Sequence, residues 1–186
     1  NAKTVDKGIV IVDKNGNEFV WIPTGKIYTD TVRTESKAKT INLNRYTFDR
    51  NGNPTAQGDA VINSYYQELA TSSLGNTTAK DINAFKTKAT VSGGFYIGRY
   101  EARKSSSGAI TEKGTDSVWN SITQPNAATQ ARNMYQNATA YTSDLMNSYA
   151  WDTATLFLQT FGTNTKYSQK TSLNSSLAST GTNNQS

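Results

Sequence analysis

Hydrophobic positions along this chain fall first into runs of β-branched and aromatic residues and later into spacings of three and four. Ile9 to Val12 and Glu18 to Ile22 are two such runs on either side of Asn15-Gly16, a dipeptide that tolerates the positive φ angles of a type I′ turn. The pattern predicts a β-hairpin whose second strand ends at Pro23, because proline cannot donate a ladder hydrogen bond. Residues 26–58 alternate weakly, with Ile41, Leu43 and Tyr46 to Phe48 as apolar points and a second Asn-Gly at 51–52. A loose excursion holding one short strand or hairpin is expected there.

The period then changes. Val61, Ile62, Tyr65, Tyr66 and Leu69 recur at helical intervals within residues 59–73, and Gly75 supplies a stop. A second short helix is expected from about Lys80 to Lys88, with Ile82 and Phe85 inward. Gly93-Gly94 breaks it, and Phe95 to Tyr100 read as a strand, apolar enough up to Arg99 to sit centrally in a sheet. Residues 104–116 read as an exposed Ser/Gly loop. Thr123 is placed as an N-cap two residues before Pro125, followed by a helix over about 125–136 with Ala127, Ala128, Ala131, Met134 and Tyr135 on one stripe. A last helix over about 148–161 is capped by Asn147 or Ser148, carries Ala150, Trp151, Ala154, Phe157, Leu158 and Phe161 on one side, and stops at Gly162. Trp151 and Phe157 are both expected to be mostly inaccessible.

Composition bounds what these elements can build. The chain has 186 residues, enough for one domain with a real core, but only 35% of them are hydrophobic, so much of the core must come from its aromatic residues. From Thr163 to Ser186 the sequence is almost wholly Ser, Thr, Asn, Gln and Gly, which cannot bury enough apolar surface to offset the entropy of ordering it. The expected organisation is therefore a domain over 1–162 and a polar loop or linker over 163–186. No apolar run approaches the roughly 18 residues that cross a bilayer, and the first residues, NAKTVDKG, lack the charged-then-apolar order of a secretory signal. The net charge of +5 comes from scattered Lys and Arg with no aromatic interleaving, which argues against a nucleic-acid partner.

Candidate chemistry is sparse. The chain contains no Cys and no His, which excludes disulfides, thiolate metal sites and a cysteine nucleophile. Asp13, Asn15, Asn17 and Asp49, Asn51, Asn53 repeat the oxygen spacing that opens a calcium loop, yet the twelfth positions are Thr24 and Ala60 where that loop needs a carboxylate. Hairpin tips explain both segments better, with weak calcium binding as the alternative. No Ser-x-x-Lys or Gly-x-Ser-x-Gly segment is present to activate a hydroxyl nucleophile. Glu101 and Asp152 are the remaining carboxylates of interest; Arg99, two positions from Glu101 on the strand, suggests a structural pairing. Tyr96, Tyr100, Trp119 and Trp151 suit core or interface positions better than a ligand cage. No catalytic residue, cofactor site or metal site follows from these residues.

The segments GGFYIGRYEA at 93–102 and NSYAWDTATLFLQ at 147–159, with FVWIP at 19–23 ahead of them, resemble the opening half of the formylglycine-generating-enzyme-like domain of the sulfatase-modifying-factor family. The similarity covers residues 8–25 and 93–162 and is closest to secreted or surface-displayed bacterial versions. It implies an α+β, C-type-lectin-like scaffold, with an N-terminal β-hairpin and helices packed on a mixed or antiparallel sheet. It also implies that the Glu after the strand and the acidic residue beside the helix Trp, here Glu101 and Asp152, are scaffold positions. The Gly-Asn-x-Trp-Glu-Trp and Arg-Gly-Gly segments of the family's second half, and the copper-binding cysteines of its enzymes, have no counterpart here. Formylglycine formation and the histidine-dependent, iron-using sulfoxide-synthase chemistry are both disfavoured.

The resulting expectation is a non-catalytic extracellular or cell-surface domain for ligand binding or adhesion, with a protein or glycan as its ligand. The alternatives are a structural subunit of a surface appendage or phage-like particle, and part of an enzyme whose active residues lie in a missing half. Because the family's completing strands follow the Trp helix, a C-terminal remainder, a second chain or a neighbouring copy is expected to complete the sheet.

Overall fold

A computed structural model describes residues 4–49, 53–58 and 82–162. The N-terminal hairpin forms as its pattern predicts. Strands β1 (Val10–Val12) and β2 (Glu18–Pro23) pair antiparallel, with Val10 opposite Val20, Ile11 opposite Phe19 and Val12 opposite Glu18. The turn is not type I′. Gly16 N–H donates to the Asp13 carbonyl at 3.0 Å, and Gly16 is the one turn residue with a positive φ, 82°. This is a type I turn followed by a glycine bulge, selected because the Asp13 carboxylate takes the Asn15 and Asn17 amides at 2.8 and 2.9 Å.

Two further hairpins occupy the region where one was expected. Strand β3 (Gly25–Tyr28) pairs with β4 (Ala38–Ile41), and β5 (Tyr46–Phe48) pairs with β6 (Pro54–Ala56). The first was hidden because only Ile27 and Ile41 of its strands reach the core, too few to set up an alternation. The helix expected over 59–73 and the polar stretch over 163–186 lie outside the described residues.

Helix α1 (Ile82–Ser92) buries Ile82 and Ala89 and leaves Phe85 half-buried. Gly93, at φ 69°, ends it. Strand β7 (Gly94–Gly98) then pairs with β2, placing Phe95 opposite Ile22 and Tyr96 opposite Trp21. Among the described residues the sheet order is β1-β2-β7, with β2 central and β7 at the margin where a central place was expected. The reason is visible in alternation: Phe95 faces the core while Gly94, Tyr96 and Gly98 face away. The expected loop over 104–116 also carries strands. Strands β8 (Arg103–Lys104), β9 (Ile110–Thr111) and β10 (Ser117–Val118) form a small antiparallel sheet of order β10-β8-β9. Two-residue strands are too short to leave a periodic signal.

Helix α2 (Gln124–Asn133) starts where expected, although the Thr123 side chain makes no capping bond. Helix α3 (Ser148–Phe161) is capped by Asn147, whose Oδ1 accepts from Ala150 N–H at 2.9 Å. Replacing Asn147 with Ala should lower stability by about 1 kcal/mol, read as a shift in the urea midpoint at unchanged slope. A change below a few tenths would show that another group satisfies the first turn.

The inward face of α3 is rotated from the expected one. Ala150, Ala154 and Phe157 are buried, but their companions are Tyr149, Thr153 and Leu156, whereas Trp151 is 50% and Leu158 46% exposed. At about 100° per residue, Trp151 and Leu158 both fall on the flank opposite Tyr149 and Leu156. Either flank fits the apolar pattern, and the packing uses the other one. The core joins this face to Ile22, Ile27, Ile41, Ala89 and Phe95. Phe85 meets Phe95 edge-on at 5.2 Å. The architecture among the described residues is thus α+β, with helices covering small antiparallel sheets.

Candidate functional site

The outward face of the β1-β2-β7 sheet brings together Trp21, Tyr96 and Glu112. Its shape follows from the alternation of glycine and tyrosine in β7. A Cβ on Gly94 would lie against the Ile22 carbonyl oxygen and 2.6 Å from Trp21 Cζ2, and one on Gly98 would lie 2.6 Å from the Glu112 carboxyl carbon. Two glycines therefore make shallow seats, one taken by the Trp21 indole and the other by the Glu112 carboxyl. Between them stands Tyr96, 49% exposed, with its ring 4.7 Å from that of Trp21.

Glu112 follows β9 and is held by its backbone. Its N–H donates to Asn17 Oδ1 at 3.0 Å, and its carbonyl accepts from Glu18 N–H at 3.0 Å. The residue is 8% exposed, and its Oε2 has no hydrogen-bond partner. Burial raises the carboxyl from its ordinary 4.5 to about 7, against the opposing field of Arg103. The Arg103 guanidinium donates instead to the Asp116 carbonyl through Nη1, lies 5.6 Å from the Tyr100 ring centre, and leaves Nε buried without a partner.

The hairpin tip beside Glu112 is a closed polar network. Asp13 Oδ2 accepts from Asn17 Nδ2 at 2.9 Å and from the Tyr135 hydroxyl at 2.7 Å, while Oδ1 takes the two backbone amides of the turn. Burial alone would raise the Asp13 carboxyl, but the bonds from Tyr135, Asn17 and Asn15 outweigh it and hold the group below its ordinary value. Burial and that same bond to Asp13 push the Tyr135 phenol well above its ordinary range. Tyr135 also packs on Phe19 and Tyr141, at 5.8 and 5.3 Å between ring centres.

The calcium-like spacing is thus put to structural use at the first tip, where the Asp13 oxygens serve the turn itself. At the second, Asp49 Oδ1 and Oδ2 accept from the Asn53 amide and side chain at 2.7 and 2.8 Å, and Asn51 lies outside the described residues. Among the described residues no group of three or more acidic side chains could hold a metal ion.

The carboxylates singled out from the sequence separate. Glu101 is exposed, and Arg99 pairs with Glu18, not with Glu101. Asp152 is buried on α3, where Oδ2 accepts from Arg45 Nε at 2.7 Å and Tyr46 N–H at 2.9 Å. Tyr100 lies between Arg99 and Arg103 and over Gly114, and Trp119 carries the Lys104 ammonium 5.0 Å from its ring centre. Trp151 stands apart, half exposed on α3. Glu112 itself gave no sequence signal; the glycines that flank Tyr96 on one strand face were the mark that something packs closely there.

Comparison with protein-family models, with curated proteins and with solved structures returns no match for this chain. Among the described residues no helix is long and apolar enough to cross a membrane.

Proposed function

We propose that this chain is a non-catalytic binding or adhesion domain working outside the cell, on a C-type-lectin-like scaffold of the formylglycine-generating-enzyme type. The observation that carries the reading is the Tyr96 platform: a half-exposed ring set on a sheet, backed by Trp21 and flanked by two glycines whose seats the Trp21 indole and the Glu112 carboxyl fill. Large amphipathic rings held rigidly at a surface give contact area at little entropic cost, which is what a ligand face needs. The neighbouring ionisable groups support binding over catalysis, since Asp13, Arg99 and Glu18 are committed to structural contacts and the Glu112 Oε2 is sealed beneath the surface. A protein or a glycan is the ligand class this platform suits.

The test is a panel of immobilised glycans and extracellular-matrix proteins probed with the wild-type chain and with Tyr96→Ala. Tyr96→Ala should reduce binding by at least tenfold, corresponding to about 1.4 kcal/mol, with an unchanged melting temperature. Equal binding by the two proteins would sink the reading.

A structural-subunit role is the second reading, favoured by the margins of the same sheet. Among the described residues β1 and β7 pair with β2 alone, and Val10, Ile11 and Val12 are 38%, 40% and 63% exposed. An apolar strand at a sheet margin is a template for pairing with another chain or a neighbouring copy. Sedimentation velocity separates the two readings: a concentration-independent monomer removes self-assembly.

A further inference from the structure

We propose that Glu112 is an acid-locked latch, whose protonated carboxyl holds the small β8–β10 sheet against the main sheet and whose ionisation releases it. The seat is specific. The carboxyl lies over the bare Cα of Gly98, where any larger residue would collide with it, and its Oε2 is sealed from solvent without a hydrogen-bond partner. The same residue supplies both backbone bonds that tie the end of β9 to β2, from Glu18 N–H and to Asn17 Oδ1. Moving the side chain out of its seat therefore strains both ties together.

The charged groups around the seat stabilise an ionised carboxylate in it less than burial disfavours it. Arg103 is the cation whose field reaches Glu112, but its Nη1 is spent on the Asp116 carbonyl and its Nε makes no hydrogen bond. Arg99 is paired with Glu18, and the Lys113 side chain runs along Gly16. On the acidic side, Asp13 is bound by Tyr135 and Asn17, and the Asp116 carboxylate accepts from Thr111 at 2.6 Å. An ionised Glu112 would be a buried charge short of partners, and leaving the seat returns it to water, with the proton going to solvent.

The sign follows from linkage. A released Glu112 titrates near its ordinary 4.5 and a seated one near 7, so in the interval between them the released form gives up a proton that the seated form keeps. Release therefore becomes tenfold easier with each pH unit across that window, roughly 300-fold in all, and levels off above it.

Amide hydrogen exchange on the full chain reads this directly. After correction for intrinsic exchange, protection of the Glu18 and Glu112 amides should fall by roughly 300-fold across the window, while the Trp21 and Thr24 amides, bonded to Ile9 and Gly93, hold theirs. Glu112→Gln, neutral at every pH, should abolish the fall. The idea is overturned if all four amides lose protection together, if none does, or if Glu112→Gln behaves as wild type. Should that variant not fold, a carbon NMR titration of the wild-type Glu112 carboxyl decides: a midpoint near 7 supports the latch, and one near 4.5 removes it.

Discussion

Replacing Asp152 with Ala should destabilise the chain by about 3–5 kcal/mol, because it removes the carboxylate that pairs with a largely buried guanidinium. The Arg45 and Asp152 side chains are 12% and 11% exposed, and one carboxylate oxygen, Oδ2, serves both Arg45 Nε and the Tyr46 amide. Truncation removes the acceptor of two donors at once, and with it one of the contacts between the helix and the hairpin. Urea unfolding at neutral pH measures the effect. Asp152→Asn should cost less, since the amide oxygen can still accept from Tyr46 N–H while the charge is lost. Replacing both members by apolar residues of similar volume should recover most of the loss, because the pair had to be desolvated to form. A cost below about 1 kcal/mol for Asp152→Ala would place this pair with exposed ion pairs, which contribute little.

The pair also shows where sequence reasoning stopped. Asp152 beside a helix tryptophan read as a carboxylate that would bond backbone or pair with Arg, and it makes both contacts. Its partner could not be read, because Arg45 is 107 residues away and sits in a stretch with almost no periodic signal. The same limit explains Arg99. Two positions from Glu101 and just past the end of β7, it pairs instead with Glu18, the first residue of the neighbouring strand. Local spacing proposes partners along the chain, whereas sheet register supplies them across it.

Elements with their own chemistry were legible. The first hairpin announces itself through Asn15-Gly16, and α3 through Asn147 and the apolar spacing after it; only the turn type and the helix rotation differed, since both depend on contacts outside the segment. Strands β8 to β10 were not legible. Lys104, Ile110, Thr111 and Glu112 read as part of an exposed loop, and Glu112 acquires its character only when β9 brings it over Gly98. A carboxylate in a polar run looks solvated in any sequence. The clue lay on the other partner, in the spacing Gly94, Tyr96, Gly98, where a strand gives up two side chains on one face.

That spacing leads to the other large expected effect. Gly94→Ala should cost roughly 2–6 kcal/mol, combining about 1–3 for an unfavourable positive-φ backbone with about 1–3 for overpacking. Gly94 has φ 151°, and its added Cβ would press on the Ile22 carbonyl oxygen and the Trp21 ring. The carbonyl belongs to the central strand and cannot rotate away, so β2 and β7 must separate, or Trp21 must leave its seat and uncover the face beside Tyr96. Gly93 is the internal control. It too has a positive φ, 69°, but an added Cβ meets nothing within 4 Å, so Gly93→Ala should lose only the backbone preference, about 1–2 kcal/mol. Thermal unfolding of the two variants, with Trp fluorescence reporting on Trp21, separates crowding from strain. Equal losses in both would mean that the Trp21 seat adjusts freely, and that the glycines of β7 serve the backbone alone.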